Sequence, residues 1–160
     1  MRLLGIILST AFLFVACDNK RLYEKNTDLN NEEWLAKEKP SFDFTIADIT
    51  AKYNLYCNIR NEVSYPKANL YFTYSINDST GKSLQSKLIS QYLFDKKTGE
   101  PFGDSGLGDI YDHQFPIAMN YEFKAPGKYS VKFEQFMRMD TLPGILAVGL
   151  RVEKAPAPKK

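Results

Sequence analysis

Histidine, tryptophan and cysteine are scarce in this chain of 160 residues, which has one histidine, one tryptophan and two cysteines. A zinc site needs three or four ligands, and a serine hydrolase needs a base within reach of its nucleophile. One of the two cysteines is predicted below to carry lipid, and the histidine and cysteine that remain are too few for a zinc site. The same scarcity leaves His113 as the single histidine on which hydrolytic chemistry could depend.

Neither charge is in strong excess, because 21 basic and 19 acidic residues give a formal net charge of +2. Nucleic-acid-binding domains are usually much more basic, so no nucleic acid partner is indicated. A long hydrophobic run is also missing. The apolar run over residues 3–14 is shorter than the roughly 20 residues that a transmembrane helix requires.

That apolar run belongs to a pattern typical of bacterial secretory signals. Arg2 supplies the positive start, residues 3–14 form the apolar region, and small or apolar residues lead into Cys17. A cysteine in this place marks the lipoprotein class, whose lipidating enzymes use the thiol of the first mature residue. We predict a signal peptide over residues 1–16 and lipidation at Cys17, the alternative being an uncleaved anchor. Acylation leaves Cys57 without a disulfide partner, and we interpret it as a small buried hydrophobe.

Polar and charged residues follow the lipidation site. Residues 17–40 predict a lipidated N-terminus and a tether, up to about 75 Å long if fully extended at 3.3–3.6 Å per residue. Asn31, followed by acidic residues, is a candidate N-cap for a short helix that Pro40 ends. Trp34 could be an exposed ligand platform or could dock the tether onto the domain. Docking is favoured because indoles bury large areas.

The hydrophobic period becomes two after the tether. Apolar positions alternate in at least six short runs separated by turn clusters, and these runs begin at Phe42, Tyr53, Leu70, Phe115, Tyr129 and Val148. This pattern predicts an all-β domain over residues 41–154, a single antiparallel β-sandwich of jelly-roll or immunoglobulin-like type. Pro116 lies inside a run and indicates an edge strand. Residues 155–160, rich in proline and lysine, predict a disordered tail.

The segment around His113 holds the candidates for chemistry. Ser105 precedes it, but without the strand-turn-helix context of a nucleophile elbow. Asp104, Asp109 and Asp112 could offer oxygen ligands to Ca²⁺, although their spacing matches no known calcium loop. We therefore predict no catalytic residue, no metal site and no cofactor.

Residues 133–153 form the most distinctive segment. Gln135 and Arg138 stand where a strand leaves its alternation, and Gly144 indicates a tight approach or a positive φ. Gly149 on a strand indicates a bulge or close packing of another backbone. Arg151 is expected to point away from the apolar face of its strand.

Aromatic residues offer an alternative function, since antiparallel sandwiches often bind sugars by stacking. The candidates are Tyr56, Tyr71 and Tyr111 with Asn54, Asn58 and Asn69. Three or more exposed rings in one groove would favour a glycan-binding lipoprotein. Scattered or buried rings would instead favour ordinary cross-strand pairing and a role in assembly.

Several short motifs occur in a characteristic order after the lipoprotein start. They are Trp34 with Phe42-Asp-Phe44, Tyr53-Asn-Leu55 through Ile59-Arg60-Asn61, Tyr65-Pro66-x-x-Asn69-Leu70, Gly106-Leu-Gly108-Asp109-Ile110, and Gln135…Arg138…Leu142-x-Gly144-Ile145…Val148-Gly149-Leu150-Arg151. In order and spacing they resemble the GldH family of gliding motility lipoproteins, over about residues 15–153.

The resemblance implies a lipoprotein of Bacteroidota that is needed for movement over surfaces, beside an envelope machine that also secretes proteins. It implies no enzymatic activity. We therefore expect a non-catalytic structural or assembly component of that apparatus, with protein components of the apparatus as partners and a membrane attachment through Cys17. In these bacteria an acid-rich run after the lipidated cysteine resembles a signal for export to the cell surface. Residues 18–21 do not form such a run, so we expect the protein to face the periplasm.

Overall fold

The computed structural model describes residues 20–106 and 108–156, so the predicted signal peptide, Cys17 and the last four residues lie outside the described part. Strands make up most of the chain. They are β1 (Arg21–Asp28), β2 (Glu33–Leu35), β3 (Ser41–Ile46), β4 (Tyr53–Glu62), β5 (Asn69–Asp78), β6 (Ser83–Tyr92), β7 (Asp104–Ser105), β8 (Ile110–Tyr121), β9 (Gly127–Gln135), β10 (Thr141–Pro143) and β11 (Ile145–Lys154).

Two antiparallel sheets form the layers of the domain. The first sheet has the order β1-β11-β4-β8-β7, and the second has the order β3-β9-β5-β6. A two-stranded ribbon, β10-β2, completes the fold. Every strand pair is antiparallel. The predicted all-β antiparallel fold is confirmed. In the described residues, no helix is long and apolar enough to cross a membrane.

The core contains the inward residues of both sheets. The alternating positions of β4 and β11 pack in one cluster with those of β3, β5 and β9, which include Leu55, Ile59, Val148, Leu150, Phe42, Phe72, Ile76 and Phe133. Strands with one buried face need this period of two. Cys57 is fully buried within the cluster, as expected, and burial raises the pKa of its thiol.

The tether expected as far as Pro40 is wrong from Arg21 onward. β1 pairs with β11 from Arg21↔Glu153 to Asp28↔Ala147, so this segment is a strand of the first sheet. Nearly all of its side chains are exposed, and it pairs with β11 along its whole length. Tyr23 adds a side-chain contact, its ring centroid lying 6.0 Å from that of Phe44. The folded domain therefore begins about twenty residues earlier than predicted.

The helix predicted at Asn31 is absent as well, because only one 3-10 turn, Asn30–Glu32, precedes β2. Asn31 has φ 55°, a left-handed conformation incompatible with an N-cap. Trp34 lies on β2 opposite Leu142 of β10. It is fully buried, and its Nε1 donates a hydrogen bond to the carbonyl of Glu38 at 3.1 Å. The docking interpretation of this tryptophan agrees with the structure.

Pro116 lies where β8 has lost its second neighbour, since β7 pairs only with Tyr111 and Asp112. The register of β8 against β4 shifts between Leu55 and Tyr56, beside the proline. This irregularity interrupts the alternation expected for β8. Met119, which belongs to the alternating run that begins at Phe115, is 50% exposed.

Candidate functional site

The residues considered for hydrolytic chemistry do not assemble into a catalytic group. Ser105 Oγ donates to the carbonyl of Gly106 at 3.3 Å. The carboxylate of Asp112 accepts two hydrogen bonds from Arg60, at 2.8 and 3.1 Å. His113 is buried, and its Nε2 has no hydrogen-bond partner among the described residues. Burial lowers the pKa of this imidazole. Ser105 and Asp112 are thus hydrogen-bonded to other groups, and His113 Nε2 is bonded to neither of them.

The aspartates considered for calcium are not arranged as a ligand set. Asp104 and Asp112 face each other across the short β7–β8 pair, and Asp112 is committed to Arg60. Within residues 20–106 and 108–156, no group of three or more His, Cys, Asp or Glu side chains could hold a metal ion.

A polar network covers the outer face of the first sheet. Glu24 on β1 accepts hydrogen bonds from Arg151 at 3.1 Å and from Asn58 at 3.1 Å. Burial raises the pKa of Glu24, but hydrogen bonds from Arg21 and Asn58 and the charge of Arg151 outweigh burial and lower it. Glu153 binds Arg151 and the hydroxyl of Tyr56. Arg151 therefore points outward, as the alternation predicts, and the network joins β1, β11 and β4.

Gly149 allows β1 to lie close to β11 beneath this network. A Cβ at position 149 would lie 1.8 Å from Asn26 Oδ1 and 2.8 Å from the backbone oxygen of Lys25. The same Asn26 oxygen accepts a hydrogen bond from Asn58 at 3.1 Å. The close backbone approach predicted at Gly149 is therefore present. A small polar cleft of about 240 Å³ lies beside these residues.

A larger cleft, of about 720 Å³, lies at one corner of the second sheet. We call this the apolar corner and define it by Tyr71 of β5, Leu88 of β6, and Phe136 and Met137 after β9, with Lys67 and Arg138 at its rim. Phe136 is 63% exposed and Leu88 47%. Contiguous exposed apolar groups of this kind mark interaction sites. β6 did not show clean alternation in the sequence because Leu88 faces outward.

Gln135 holds the loop of the apolar corner in place. It is buried, its Nε2 donates to the carbonyl of Met139 at 2.8 Å, and its Oε1 accepts from the amide of Met137 at 2.8 Å. The amide of Phe136 donates to the carbonyl of Tyr71 at 2.8 Å. The loop is therefore preorganised over the sheet. Gln135 and Arg138 stand in the sequence where a strand leaves its alternation, but nothing in the sequence predicted the apolar surface beside them.

The tyrosines considered for sugar stacking lie on different surfaces. Tyr56 pairs with Arg151 on the outer side of the first sheet. Tyr111 pairs with Asn61, on the side of that sheet that carries the buried Ile59. Tyr71 belongs to the second sheet. These rings do not share one groove, which is the arrangement that favours assembly over glycan binding.

Comparison with known proteins gives the family. The GldH lipoprotein family matches residues 21–152, the whole span of the two sheets apart from their last residues. This chain belongs to that family. Among its relatives, the gliding motility lipoprotein GldH homolog of Christiangramia forsetii is 33% identical over 157 residues, which cover 94% of each chain. The gliding motility lipoprotein GldH of Flavobacterium johnsoniae is 31% identical over 94% of this chain and 95% of its own.

Solved structures resemble the domain only distantly. The infectious bursal disease virus VP2 subviral particle has a TM-score of 0.41 and 8% identity over 94% of this chain and 37% of that chain. The Gx strain of the same virus gives a TM-score of 0.42 with 10% identity, over 96% of this chain and 36% of that chain. This chain thus spans little more than a third of these proteins, and similarity at this level carries no functional argument.

Proposed function

We propose that this protein is a non-catalytic lipoprotein that serves as a structural or assembly component of the gliding motility and associated protein secretion machinery. The observation that carries the proposal is family membership across almost the whole folded domain, together with relatives named for gliding motility at 31–33% identity. Ser105 and Asp112 are hydrogen-bonded to other groups, and neither is bonded to His113 Nε2, which supports a role without catalysis.

Attachment to the envelope is proposed to run through lipid on Cys17, with the domain facing the periplasm. Lipidation requires the thiol of Cys17 as nucleophile, so Cys17→Ser is expected to abolish incorporation of a fatty-acid analogue during growth. Membrane fractionation alone would mislead, because an unprocessed chain keeps its apolar residues 3–14. Labelling of the variant equal to that of the unaltered protein would contradict the anchor. Protease shaving of intact cells tests orientation, and rapid loss of the protein would contradict a periplasmic position.

The apolar corner is the proposed contact surface for a protein component of the apparatus. Its exposed Phe136 and Leu88 suit apolar side chains of a partner. Lys67 and Arg138 at the rim suit a partner segment that also carries carboxylates. The loop is already held by Gln135, so little ordering is needed when a partner binds.

Complementation of a gene deletion in the native host tests this function. Deletion is expected to stop surface spreading or impair secretion, and the unaltered gene should restore both. Phe136→Ser should fail to restore them and should lose its crosslinked partner in a pull-down from native envelopes. Phe102→Ser is the matched control, because Phe102 is 60% exposed but lies outside the apolar corner.

Two outcomes would contradict different parts of the proposal. Normal spreading and normal secretion after deletion would exclude a role in the machinery in that host. Full restoration by Phe136→Ser, with its partner retained, would exclude the apolar corner as the contact surface while leaving the role itself intact.

A further inference from the structure

Charge is distributed unevenly between the two ends of the domain. One end holds the start of β1, the end of β11 and the loops that join β3 to β4, β5 to β6, and β8 to β9. Backbone hydrogen bonds connect these parts, from Lys154 to Lys20 at 2.9 Å and from Ala155 to Lys52 at 2.8 Å. Ile46 pairs with Gly127 in the same region. We call it the basic end.

Basic side chains dominate there. Residues 20–21, 48–52, 78–82, 122–128 and 154 contain seven basic and three acidic side chains. The basic ones are Lys20, Arg21, Lys52, Lys124 and Lys154 beside the first sheet, with Lys82 and Lys128 beside the second. All seven are exposed.

The three acidic side chains leave a positive surplus. Glu122 contacts Lys52 at 2.9 Å and Lys124 at 3.4 Å. Asp48 contacts Lys154 at 3.0 Å, and Asp78 accepts hydrogen bonds from its own turn. Arg21 contacts Glu24 of β1 at 2.8 Å. Since each acid can neutralise only one positive charge, counting Glu24 with the other three acids leaves three positive charges in excess at this end.

The opposite end has the reverse balance. Residues 28–39, 60–67, 95–112 and 138–140 contain eleven acidic and seven basic side chains. Their proximity is shown by backbone hydrogen bonds from Gly144 to Glu32 at 2.9 Å, from Val63 to Asp109 at 2.8 Å and from Ala36 to Asp140 at 2.8 Å. The apolar corner contains Phe136 to Arg138 and so lies toward this acidic end.

Chain length links the basic end to the predicted anchor. Cys17 precedes Lys20 by three residues, so their α carbons are at most about 11 Å apart at 3.3–3.6 Å per residue. Because β1 begins at Arg21, a lipid on Cys17 would hold this end of the domain, and not an arbitrary face, at the bilayer. Ile49 is 44% exposed in the β3–β4 loop, and an apolar side chain among lysines suits a membrane surface.

We propose that the basic end rests on anionic phospholipid headgroups beside the lipid anchor. Clustered lysines next to a membrane attachment are attracted to anionic headgroups, and acidic residues at the opposite end are repelled by them. The contact therefore orients the domain with its apolar corner directed away from the bilayer, toward a protein partner. This inference rests on the proposed lipidation of Cys17.

A fluorescence experiment on the mature lipidated protein in vesicles tests the orientation. A thiol-reactive probe is attached at Ala125→Cys in the basic end or at Thr98→Cys in the acidic end; both positions are exposed. The buried Cys57 does not compete for the label, and lipid occupies the thiol of Cys17. Vesicles of phosphatidylcholine, with or without phosphatidylglycerol, carry a small amount of headgroup-nitroxide lipid as quencher.

The probe at position 125 is expected to be quenched more strongly in vesicles that contain phosphatidylglycerol, and high salt should remove the difference because it screens exposed charges. The probe at position 98 should show little quenching in either lipid. Equal quenching at the two positions, or quenching at position 125 that ignores lipid charge and salt, would overturn the proposal. A protein that does not associate with vesicles at all would instead refute lipidation.

Charge reversal identifies the surface. A basic-end variant carries Lys82→Glu, Lys124→Glu and Lys128→Glu, all on exposed positions. It should lose the dependence of quenching at position 125 on phosphatidylglycerol. Circular dichroism verifies that the variant is folded. If the variant does not fold, the dependence of quenching at position 125 on lipid charge and salt, measured without the charge reversals, still tests the proposal independently.

The matched control reverses three exposed lysines at the other end, with Lys37→Glu, Lys96→Glu and Lys97→Glu. It changes the net charge by the same amount, so general repulsion from anionic vesicles would affect both variants equally. The control is expected to keep the lipid-dependent quenching at position 125. An equal loss in the two variants would overturn the assignment of the contact to the basic end.

Discussion

Truncating the indole of Trp34 is expected to weaken the whole fold, because the segment once expected to be a tether is part of it. A buried aromatic side chain removes about 150–250 Å² from water, worth about 4–6 kcal/mol at about 25 cal/mol per Å². Measured truncations of buried aromatic residues to alanine cost about 3–5 kcal/mol. Since Trp34 is fully buried between β2 and the core, we expect Trp34→Ala to lower the free energy of unfolding by about 3–5 kcal/mol.

Trp34→Phe separates packing from hydrogen bonding. It keeps most of the apolar area and removes the Nε1–H that donates to the carbonyl of Glu38, together with a small part of the ring. Its expected cost is about 1–2 kcal/mol, from the lost hydrogen bond and a smaller ring. Unfolding in urea is followed by far-ultraviolet circular dichroism, since Trp34 is the only tryptophan and its fluorescence is lost in both variants.

Phe102→Ala is the control, because Phe102 is 60% exposed and its removal should change the free energy of unfolding by less than about 0.5 kcal/mol. A cost for Trp34→Ala below about 1 kcal/mol, comparable to a surface substitution, would refute the reasoning. Residues before β3 would then behave as the tether that the sequence suggested.

Three further outcomes concern single sites. The Cβ of Gly149→Ala would meet Asn26 Oδ1 and Lys25 O, so this variant should lower the free energy of unfolding in urea by about 1–3 kcal/mol. Adding Asn26→Ala should recover part of that loss. Fully additive effects of the two substitutions on the free energy of unfolding would contradict this clash. Because burial raises the pKa of the Cys57 thiol, a maleimide should leave it unmodified in the native protein at neutral pH and modify it in urea; rapid native labelling would contradict the core position. Burial lowers the pKa of His113 below 6.5 in the folded protein. As the pH falls through 6.5, this histidine is therefore protonated in the unfolded chain before it is protonated in the folded one. The free energy of unfolding should then decrease as the pH is lowered further. His113→Phe should flatten that decline in thermal melts, whereas an unchanged slope would show that other groups cause it.

The core strands could be predicted because each has one buried face. Phe42, Leu70 and Val148 begin runs whose alternation is a direct consequence of the pleat, and the structure places them in strands with inward apolar residues. The alternation of apolar residues did not predict β6. Leu88 faces outward into the apolar corner, so its strand carries apolar residues on both faces and the period of two is obscured.

β1 could not be predicted, for the opposite reason. Its residues are almost all exposed, so the segment shows no apolar alternation and resembles a polar linker. What makes it a strand is the row of backbone groups that β11 offers along Ala147 to Glu153. Backbone hydrogen bonds of this kind leave no alternation in the side chains of β1. The one sign on β11 is Gly149, which indicated a bulge or the close packing of another backbone.

The sequence by itself determined the all-β class, and it predicted lipidation at Cys17 and too few histidine and cysteine ligands for a zinc site. These follow from local periodicity, from a linear signal and from residue supply, none of which depends on distant contacts. Only the tertiary structure decided that Trp34 and β1 belong to the domain, that Tyr56, Tyr71 and Tyr111 lie on separate surfaces, and that charge differs between the two ends. Each of these depends on which strands pair and which loops share an end, and the β1–β11 and β2–β10 pairings join residues more than a hundred positions apart.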